Sequence, residues 1–252
     1  ARLDTTTFVL LGEGLGAGVN NFSLSETGQK TSYGALTALQ MGTIFPQPVF
    51  QSPGIGNVVG FPQLPLRLPA TLQTTVRRPF PPTLFVFNLS IPGLRVADVA
   101  TRRPTLPLIH QGDPRQTLVN FILGFPQLIL EDDLPLWSQL EYATAMQPTL
   151  AVVELGYYEV LEAAVTGDLS RLPDPAAFRT SYENIVSTLR GTFAQVVVQT
   201  IPDPLDTAYF NDPIFAAQLM RVPPYVVLGL FGVSLDDWIT VPGLVEMGNQ
   251  FL

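Results

Sequence analysis

The sequence predicts an α/β protein of 252 residues, a three-layer α/β/α sandwich around a mainly parallel sheet. Two kinds of segment alternate along the chain. Phe8–Leu11 and residues 150–155 are short, continuous apolar runs, as expected for strands that are buried on both faces. Residues 175–190 place apolar side chains at helical spacing, namely Phe178, Tyr182, Ile185, Val186 and Leu189.

The other elements continue this alternation. Ser32 is a suitable N-cap for a helix that runs through Met41, and Gly42 is a suitable stop for it. Further strands are predicted at residues 84–89 and 196–200, and further helices at residues 94–100 and 157–165.

Two stretches have no regular pattern. Residues 43–82 are apolar but are interrupted by proline and glycine, which predicts an insertion packed over the carboxyl edge of the sheet. Residues 211–252 are predicted as an irregular apolar segment in which no further sheet strand is recognisable. The chain is therefore predicted as one domain over residues 1–252. If the last strand is missing, the valine-rich fourth strand has an open edge.

Composition and charge limit the classes of partner. The chain is 46% hydrophobic and only 13% charged, which favours a surface covered by a protein partner or by copies of the chain itself. The formal net charge of −8 and the lack of a basic cluster argue against nucleic acid. The longest apolar run, residues 222–233, is too short to predict a transmembrane segment.

Cysteine is absent, which excludes disulfides and thiolate chemistry. The absence of cysteine fits either an exported protein or a thermally or oxidatively stressed setting, and a start at Ala1 without a leader is consistent with removal of a signal peptide. The expected location is secreted, periplasmic or cell-surface. His110 is the only histidine and is expected in a partly exposed loop or at a helix start, so neither a metal site nor a cofactor is predicted. The acidic run at residues 131–133 is predicted as a solvated helix start.

The stretch from Phe8 to Gly18 has the layout of a strand that enters a tight glycine turn. Four further motifs follow it in order: Glu26-Thr27-Gly28-Gln29 with Ser32-Tyr33-Gly34, then Asn88-Leu89-Ser90-Ile91-Pro92-Gly93, Leu155-Gly156-Tyr157-Tyr158-Glu159 and Thr200-Ile201-Pro202-Asp203-Pro204. In order and spacing these motifs resemble the signature blocks of the SGNH (GDSL-type) hydrolases, in a bacterial and mostly exported branch. The resemblance covers most of residues 5–210.

The resemblance implies a flavodoxin-like strand order and a lost active site. Gly14 stands at the family's serine nucleophile, Glu13 at the aspartate before it and Tyr158 at the oxyanion-hole asparagine, whereas Gly93 keeps the oxyanion-hole glycine. No Asp-x-x-His block is present. Ester hydrolysis by this mechanism needs a nucleophile, a base and oxyanion donors, so no catalytic residue is expected. The candidate vestigial pocket comprises Glu13, Gly14, Gly93, Tyr157, Tyr158 and Glu159.

Glu13 and Glu159 allow two interpretations. Both are expected at the carboxyl ends of adjacent strands, where open α/β sheets place their sites, and two facing carboxylates can do acid/base work. Alternatively, each caps a turn, as the aspartate that it replaces would. The second interpretation is favoured, because no polar or aromatic platform for a sugar is evident near either residue.

Three classes of function remain open. The first is a catalytically inactive structural or interaction subunit of an extracytoplasmic assembly, which the composition and the absent nucleophile favour. The second is the N-terminal part of a longer or split SGNH-type esterase or lipase. The third is a small-molecule-binding pseudoenzyme with Tyr157 and Tyr158 as aromatic contacts.

Overall fold

A computed structural model describes residues 3–20, 23–51, 54–56, 76–77, 85–124 and 135–251. Its strands are β1 (Phe8–Gly12), β2 (Ser23–Leu24), β3 (Val49–Phe50), β4 (Ile55–Gly56), β5 (Val76–Arg77), β6 (Leu150–Glu154), β7 (Gln195–Val198), β8 (Phe210–Asn211) and β9 (Ile239–Thr240). Its α-helices are α1 (Gly14–Ala17), α2 (Glu26–Lys30), α3 (Tyr33–Met41), α4 (Pro114–Leu123), α5 (Gln139–Ala145), α6 (Tyr157–Thr166), α7 (Pro175–Gly191), α8 (Pro213–Met220), α9 (Pro224–Phe231) and α10 (Val241–Phe251). The chain is a mixed α/β protein.

Contacts within the chain divide it into two compact units. The first contains Ala1–Ala163 and Asp168–Ile201, and the second contains Ala164–Gly167 and Pro202–Leu252.

A three-stranded parallel sheet in the order β1-β6-β7 organises the first unit. Phe8 aligns with Leu150, and Leu150 in turn aligns with Gln195. All residues of β1 and β6 are buried, which confirms the interpretation of their apolar runs as strands covered on both faces.

Side chains of β1 alternate between two core clusters. Val9 belongs to a cluster that includes Ile185 of helix α7, whereas Phe8 belongs to a second cluster that includes Ala38 of helix α3. Successive side chains of a strand point to opposite faces, so the two clusters lie on opposite sides of the sheet.

Helix α3 begins and ends at the predicted residues. The Ser32 hydroxyl accepts a hydrogen bond from the Ala35 N–H at 3.2 Å, and Gly42 ends the helix in the left-handed conformation at φ 67°. The predictions for β6, α6 and α7 are also confirmed to within two residues at each end. The predicted fourth strand at 196–200 is β7, and it ends two residues earlier.

The segment predicted as a strand at residues 84–89 departs from regular geometry. From residue 85 onward it runs parallel to β1, and the Leu10 N–H donates to the Phe87 carbonyl at 3.0 Å while the Leu89 N–H donates to the Leu10 carbonyl at 2.9 Å. The Gln139 side-chain amide donates to the Leu89 carbonyl at 2.7 Å. This side-chain bond interrupts the ladder, so the segment is a bridge to β1 and not a strand.

The prediction of a helix at residues 94–100 is wrong. The structure has only a three-residue 3₁₀ helix there, Val96–Asp98. Leu94, Val96 and Val99 are all buried. An α-helix would place residues 94 and 96 on opposite sides, so it could not bury both of them in one core.

Most of the predicted insertion at residues 43–82 lies outside the described residues, as do the acidic residues 131–133. Its described parts contain only two-residue strands, with β3 paired to β5 and β4 paired to β2. Phe50 in β3 is fully buried in the main core cluster of the first unit.

The second unit contains the segment that was expected to be irregular, and three helices form there. Asp212 caps α8, because its carboxylate accepts from the Phe215 N–H at 2.7 Å. Ala216, Ala217, Val227 and Ile239 form a small core of their own. In the described ranges no single helix is long and apolar enough to cross a membrane, although α8 and α9 together reach that length and apolarity with a 108° bend between them.

Candidate functional site

Three buried glutamates lie around the carboxyl ends of β1 and β6. Glu13 follows β1, Glu154 ends β6, and Glu159 lies in the first turn of α6. Their residues are 1%, 4% and 4% exposed, respectively. Glu13 was predicted at this position with Glu159, so the structure brings two of the sequence candidates together and adds a third carboxylate.

Glu13 caps helix α6. One of its carboxylate oxygens accepts from the Gly156 N–H at 2.5 Å, and the other accepts from the Tyr158 N–H at 2.7 Å. The first N–H groups of a helix have no partner within the helix and attract negative charge. Both Glu13 oxygens are thus used to hold the start of the helix that follows the neighbouring strand.

Glu154 makes the reciprocal connection. Its Oε2 atom accepts from the Glu13 N–H at 3.0 Å and from the Gly16 N–H at 2.8 Å, and so it caps helix α1. Its Oε1 atom is buried with no hydrogen-bond partner in the described part of the chain. The glutamate at each strand end therefore caps the helix that follows the other strand.

Glu159 stabilises a third backbone turn. Its Oε1 atom accepts from the Val96 N–H at 2.7 Å, at the start of the 3₁₀ helix. These three sets of bonds agree with the capping interpretation of Glu13 and Glu159. Both Glu13 oxygens are bonded to backbone amides, whereas one oxygen of Glu154 and the Oε2 atom of Glu159 are buried without a hydrogen-bond partner in the described part of the chain.

Burial changes the acidity of all three groups in the same direction. Desolvation raises the pKa of Glu13 well above its ordinary value, and the neighbouring charges of Glu159 and Glu154 raise it further, against the two backbone hydrogen bonds. Desolvation likewise raises the pKa of Glu154 to about 7 and raises the pKa of Glu159. Of the three, Glu154 has a buried oxygen that accepts no hydrogen bond in the described part of the chain and that can carry a proton, whereas both Glu13 oxygens accept from backbone N–H groups.

The glycine turn after β1 separates into crowded and open positions. A Cβ atom at Gly12 or at Gly16 would lie 2.6 Å from the Ser90 Oγ and within 3 Å of the Glu154 Oε2. A Cβ atom at Gly14, which the resemblance aligned with a nucleophile, would have Val19 Cγ2 at 3.8 Å as its nearest described neighbour. A side chain at Gly12 or Gly16 therefore requires Ser90 and Glu154 to shift, whereas Gly14 has room for one.

Tyr158, which the resemblance aligned with an oxyanion-hole asparagine, is buried among charged groups. The guanidinium carbons of Arg95 and Arg115 lie 5.8 Å and 5.0 Å from its ring centroid. Arg95 also pairs with Glu162 at 2.5 Å. Tyr157 is partly exposed at the start of α6. The Tyr158 ring therefore packs against two arginines.

Gly93 and His110 are held in loops. Gly93 has φ 76° in the turn after the segment that runs beside β1. The backbone N–H of His110 donates to the Thr117 hydroxyl at 2.8 Å, and the ring Nε2 atom of His110 lies 3.3 Å from the Thr105 carbonyl oxygen. No hydrogen bond between described residues joins His110 to the three glutamates, so the only imidazole is not brought to them.

Sequence reasoning missed three polar residues that build this site. Gln139 donates to the Gly12 and Leu89 carbonyls at 3.1 Å and 2.7 Å, and Asn88 donates to the Gly16 carbonyl at 3.0 Å. Glu154 is the third, and it had a signal in the sequence: a lone carboxylate at the end of an otherwise apolar strand. Gln139 and Asn88 have no comparable signal, because amides are common at exposed positions.

The described residues contain no group of three histidine, cysteine, aspartate or glutamate side chains arranged to hold a metal ion. Comparisons of the chain with protein-family models, with curated protein sequences and with solved structures gave no significant match. The resemblance to the SGNH hydrolases therefore depends on the order of the motifs and on the residues within them.

Proposed function

We propose that this chain is a catalytically inactive SGNH-hydrolase-like protein, and that it acts as a structural or interaction subunit of an extracytoplasmic assembly. Its fold in this proposal is a three-layer α/β/α sandwich with a flavodoxin-like strand order. Support for the layers comes from the two core clusters, one with Ile185 of α7 and one with Ala38 of α3, which receive alternate side chains of β1.

The observation that carries the proposal is the use of both Glu13 oxygens by backbone amides. A general acid or base must reach the proton of a substrate, and Glu13 is 1% exposed and turned toward the Gly156 and Tyr158 N–H groups. Gly14 offers no nucleophile next to it. The strand ends that would carry chemistry in an α/β enzyme are here used to fix two helices.

The role in an assembly is supported by exposed apolar side chains on a charge-poor chain. In the first unit, Phe193 is 96% exposed, and Leu39 and Leu169 are more than 70% exposed. A partner that covers these side chains would remove their apolar area from water. The extracytoplasmic location is supported by the absence of cysteine and by the exported branch that the motifs resemble.

Binding of a small molecule in the vestigial pocket has weaker support. That function needs an open aromatic contact at Tyr158, but Tyr158 is 6% exposed and flanked by two arginines. Ligand sites are usually concave and largely preformed. The structure of the first unit favours a packed strand edge over a pocket at this position.

Native mass spectrometry of the protein from its source tests the proposal, with a denatured sample to weigh each chain. We expect a complex that contains more than one chain, either copies of this one or a companion protein. A lone species near the sequence mass of 27.5 kDa would contradict the role in an assembly.

A further inference from the structure

The side chains of Ser90 and Glu154 meet over a glycine of β1. This strand lies between them, because the Ile91 N–H donates to the Gly12 carbonyl at 3.0 Å on one side and Gly12 aligns with Glu154 of β6 on the other. A Cβ atom at Gly12 would lie 2.6 Å from the Ser90 Oγ and 2.7 Å from the Glu154 Oε2. The two side chains therefore come together where a larger residue at position 12 would place its own.

Helix α1 covers this meeting point from a second direction. A Cβ atom at Gly16 would also lie 2.6 Å from the Ser90 Oγ, and it would lie 2.9 Å from the Glu154 Oε2. The Leu10 Cδ2 atom would be 3.2 Å from the same Cβ position. Ser90 and Glu154 are only 3% and 4% exposed, so they meet in the interior of the first unit and not in an open cleft.

Each of the two side chains has a polar atom without a partner. The Ser90 Oγ and the Glu154 Oε1 are buried, and neither makes a hydrogen bond with the described part of the chain. The other oxygen of Glu154 accepts from the Glu13 and Gly16 N–H groups, which fixes the carboxyl group in place. A buried polar group without a partner is costly, and most such groups in folded proteins are bonded to protein or to ordered water.

The chemistry of these two atoms indicates what binds between them. A hydroxyl group donates or accepts, and a carboxyl oxygen accepts when it is ionised and donates when it is protonated. Water can donate and accept at once, so it is complementary to both groups in either protonation state of Glu154. A Mg²⁺ or Ca²⁺ ion takes about six or more oxygen ligands, and the described residues contain no side-chain group that could hold a metal ion.

We propose that one buried water molecule binds between the Ser90 Oγ and the Glu154 Oε1, and that it links residues 85–93 to β6 across β1. Buried waters typically bond to two to four polar groups that have no other partner, and this one serves both unpartnered atoms. Glycine at position 12 is then required, because a side chain there would force the two ligands of the water apart. The site concerns how the strand ends are held, and it is independent of the proposed role in an assembly.

A crystal structure of the wild-type protein, at a resolution that shows ordered water, tests the site. We expect one electron-density peak within about 2.5–3.0 Å of both the Ser90 Oγ and the Glu154 Oε1, the usual range for O–H···O hydrogen bonds. Well-ordered side chains without a peak between them would overturn the inference. So would a direct hydrogen bond between Ser90 and Glu154, or a metal ion with several oxygen ligands at about 2.0–2.6 Å.

Two variants test the ligands of the water separately. Ser90→Ala removes one ligand, so we expect the peak to be absent and the melting temperature to be about 3–6 °C lower. Glu154→Gln keeps a polar atom in place of Oε1, and its amide can donate to water, so we expect the peak to remain. Ser187→Ala is the matched control at an exposed serine of α7, and it is expected to change the melting temperature by less than about 2 °C.

The variants can each contradict the inference. A peak that persists in Ser90→Ala would show that the serine hydroxyl is not a ligand, and a peak that disappears in Glu154→Gln would show that the carboxyl group is not replaceable as the inference requires. Equal losses of melting temperature in Ser90→Ala and Ser187→Ala would contradict the importance of the buried hydroxyl. Circular dichroism verifies that the variants are folded, and the wild-type crystal structure decides the question even if Ser90→Ala does not fold.

Discussion

The backbone N–H of Glu13 donates to the Oε2 atom of Glu154 at 3.0 Å, so the residue that follows one strand is fixed by the last residue of its neighbour. The Glu13 carboxylate returns the connection by capping helix α6. This crossed arrangement couples the two strand ends of the sheet. It also determines how each glutamate should respond to substitution.

Substitution of Glu13 and of Glu154 by glutamine is expected to have unequal effects on the free energy of unfolding. Glu154 uses only Oε2, and the carbonyl oxygen of glutamine can accept both of its bonds, so Glu154→Gln is expected to change the free energy of unfolding by less than about 1 kcal/mol. Glu13 uses both oxygens. Glu13→Gln therefore leaves one buried N–H facing another donor, and it is expected to cost about 1–3 kcal/mol. Urea unfolding measures both values.

Glu183→Gln provides the control for those two variants. Glu183 lies on α7, and its side chain is 70% exposed. The same substitution there is expected to change the free energy of unfolding by less than about 0.5 kcal/mol. Equal losses at residues 13 and 154 would contradict the geometry of the crossed caps.

Stability is expected to fall as the pH rises through neutrality. Burial raises the folded-state pKa of Glu154 to about 7 from 4.5, so the folded protein keeps a proton that the unfolded chain releases. The contribution of this group is fully present below about pH 4.5 and is lost as the pH rises through about 7. Between pH 5 and pH 8 the loss is expected to be on the order of 2 kcal/mol.

Thermal unfolding at several pH values between 5 and 8 measures this effect. Glu154→Gln cannot lose a proton, so the slope of stability against pH is expected to be smaller in that variant. A wild-type protein that gains stability across this range would show that the buried carboxylates are ionised when folded.

Substitution by alanine is expected to have different effects on stability at Gly14 and Gly16, in the turn after β1. Gly16→Ala would place a Cβ atom 2.6 Å from the Ser90 Oγ and 2.9 Å from the Glu154 Oε2, and the required shifts are expected to cost about 1–3 kcal/mol. Gly14→Ala meets only Val19 at ordinary contact distance, and it is expected to be neutral or to stabilise by up to about 1 kcal/mol. Comparison of the two melting temperatures measures the difference, and equal losses would contradict it.

The sequence predicted those elements whose local pattern and burial agree. β1, β6 and α7 were found because their apolar periodicity coincides with the faces that they bury. The prediction of a strand at residues 84–89 was wrong, because the Gln139 side chain, from a helix distant in sequence, donates to the Leu89 carbonyl and interrupts the ladder with β1. The prediction of a helix at residues 94–100 was wrong, because residues 94, 96 and 99 are all buried in the core and their spacing is not that of one helix face.

The site was predicted only in outline. The positions of Glu13 and Glu159 followed from the strand ends, and capping was the favoured interpretation. Their partners could not be predicted, because each glutamate binds an element far away in sequence: Gly156 for Glu13 and Val96 for Glu159. Which glycines are crowded likewise depends on Ser90 and Glu154, which approach the turn from other segments.

The most direct test of the central claim is hydrolysis of a chromogenic ester by Gly14→Ser beside the wild-type protein. The turn has room for the serine, so the variant is expected to fold, and circular dichroism verifies this. We expect no turnover above the buffer background for either protein, because no described contact brings His110 to the site and Tyr158 is buried against two arginines. Turnover proportional to the concentration of the variant would contradict the account.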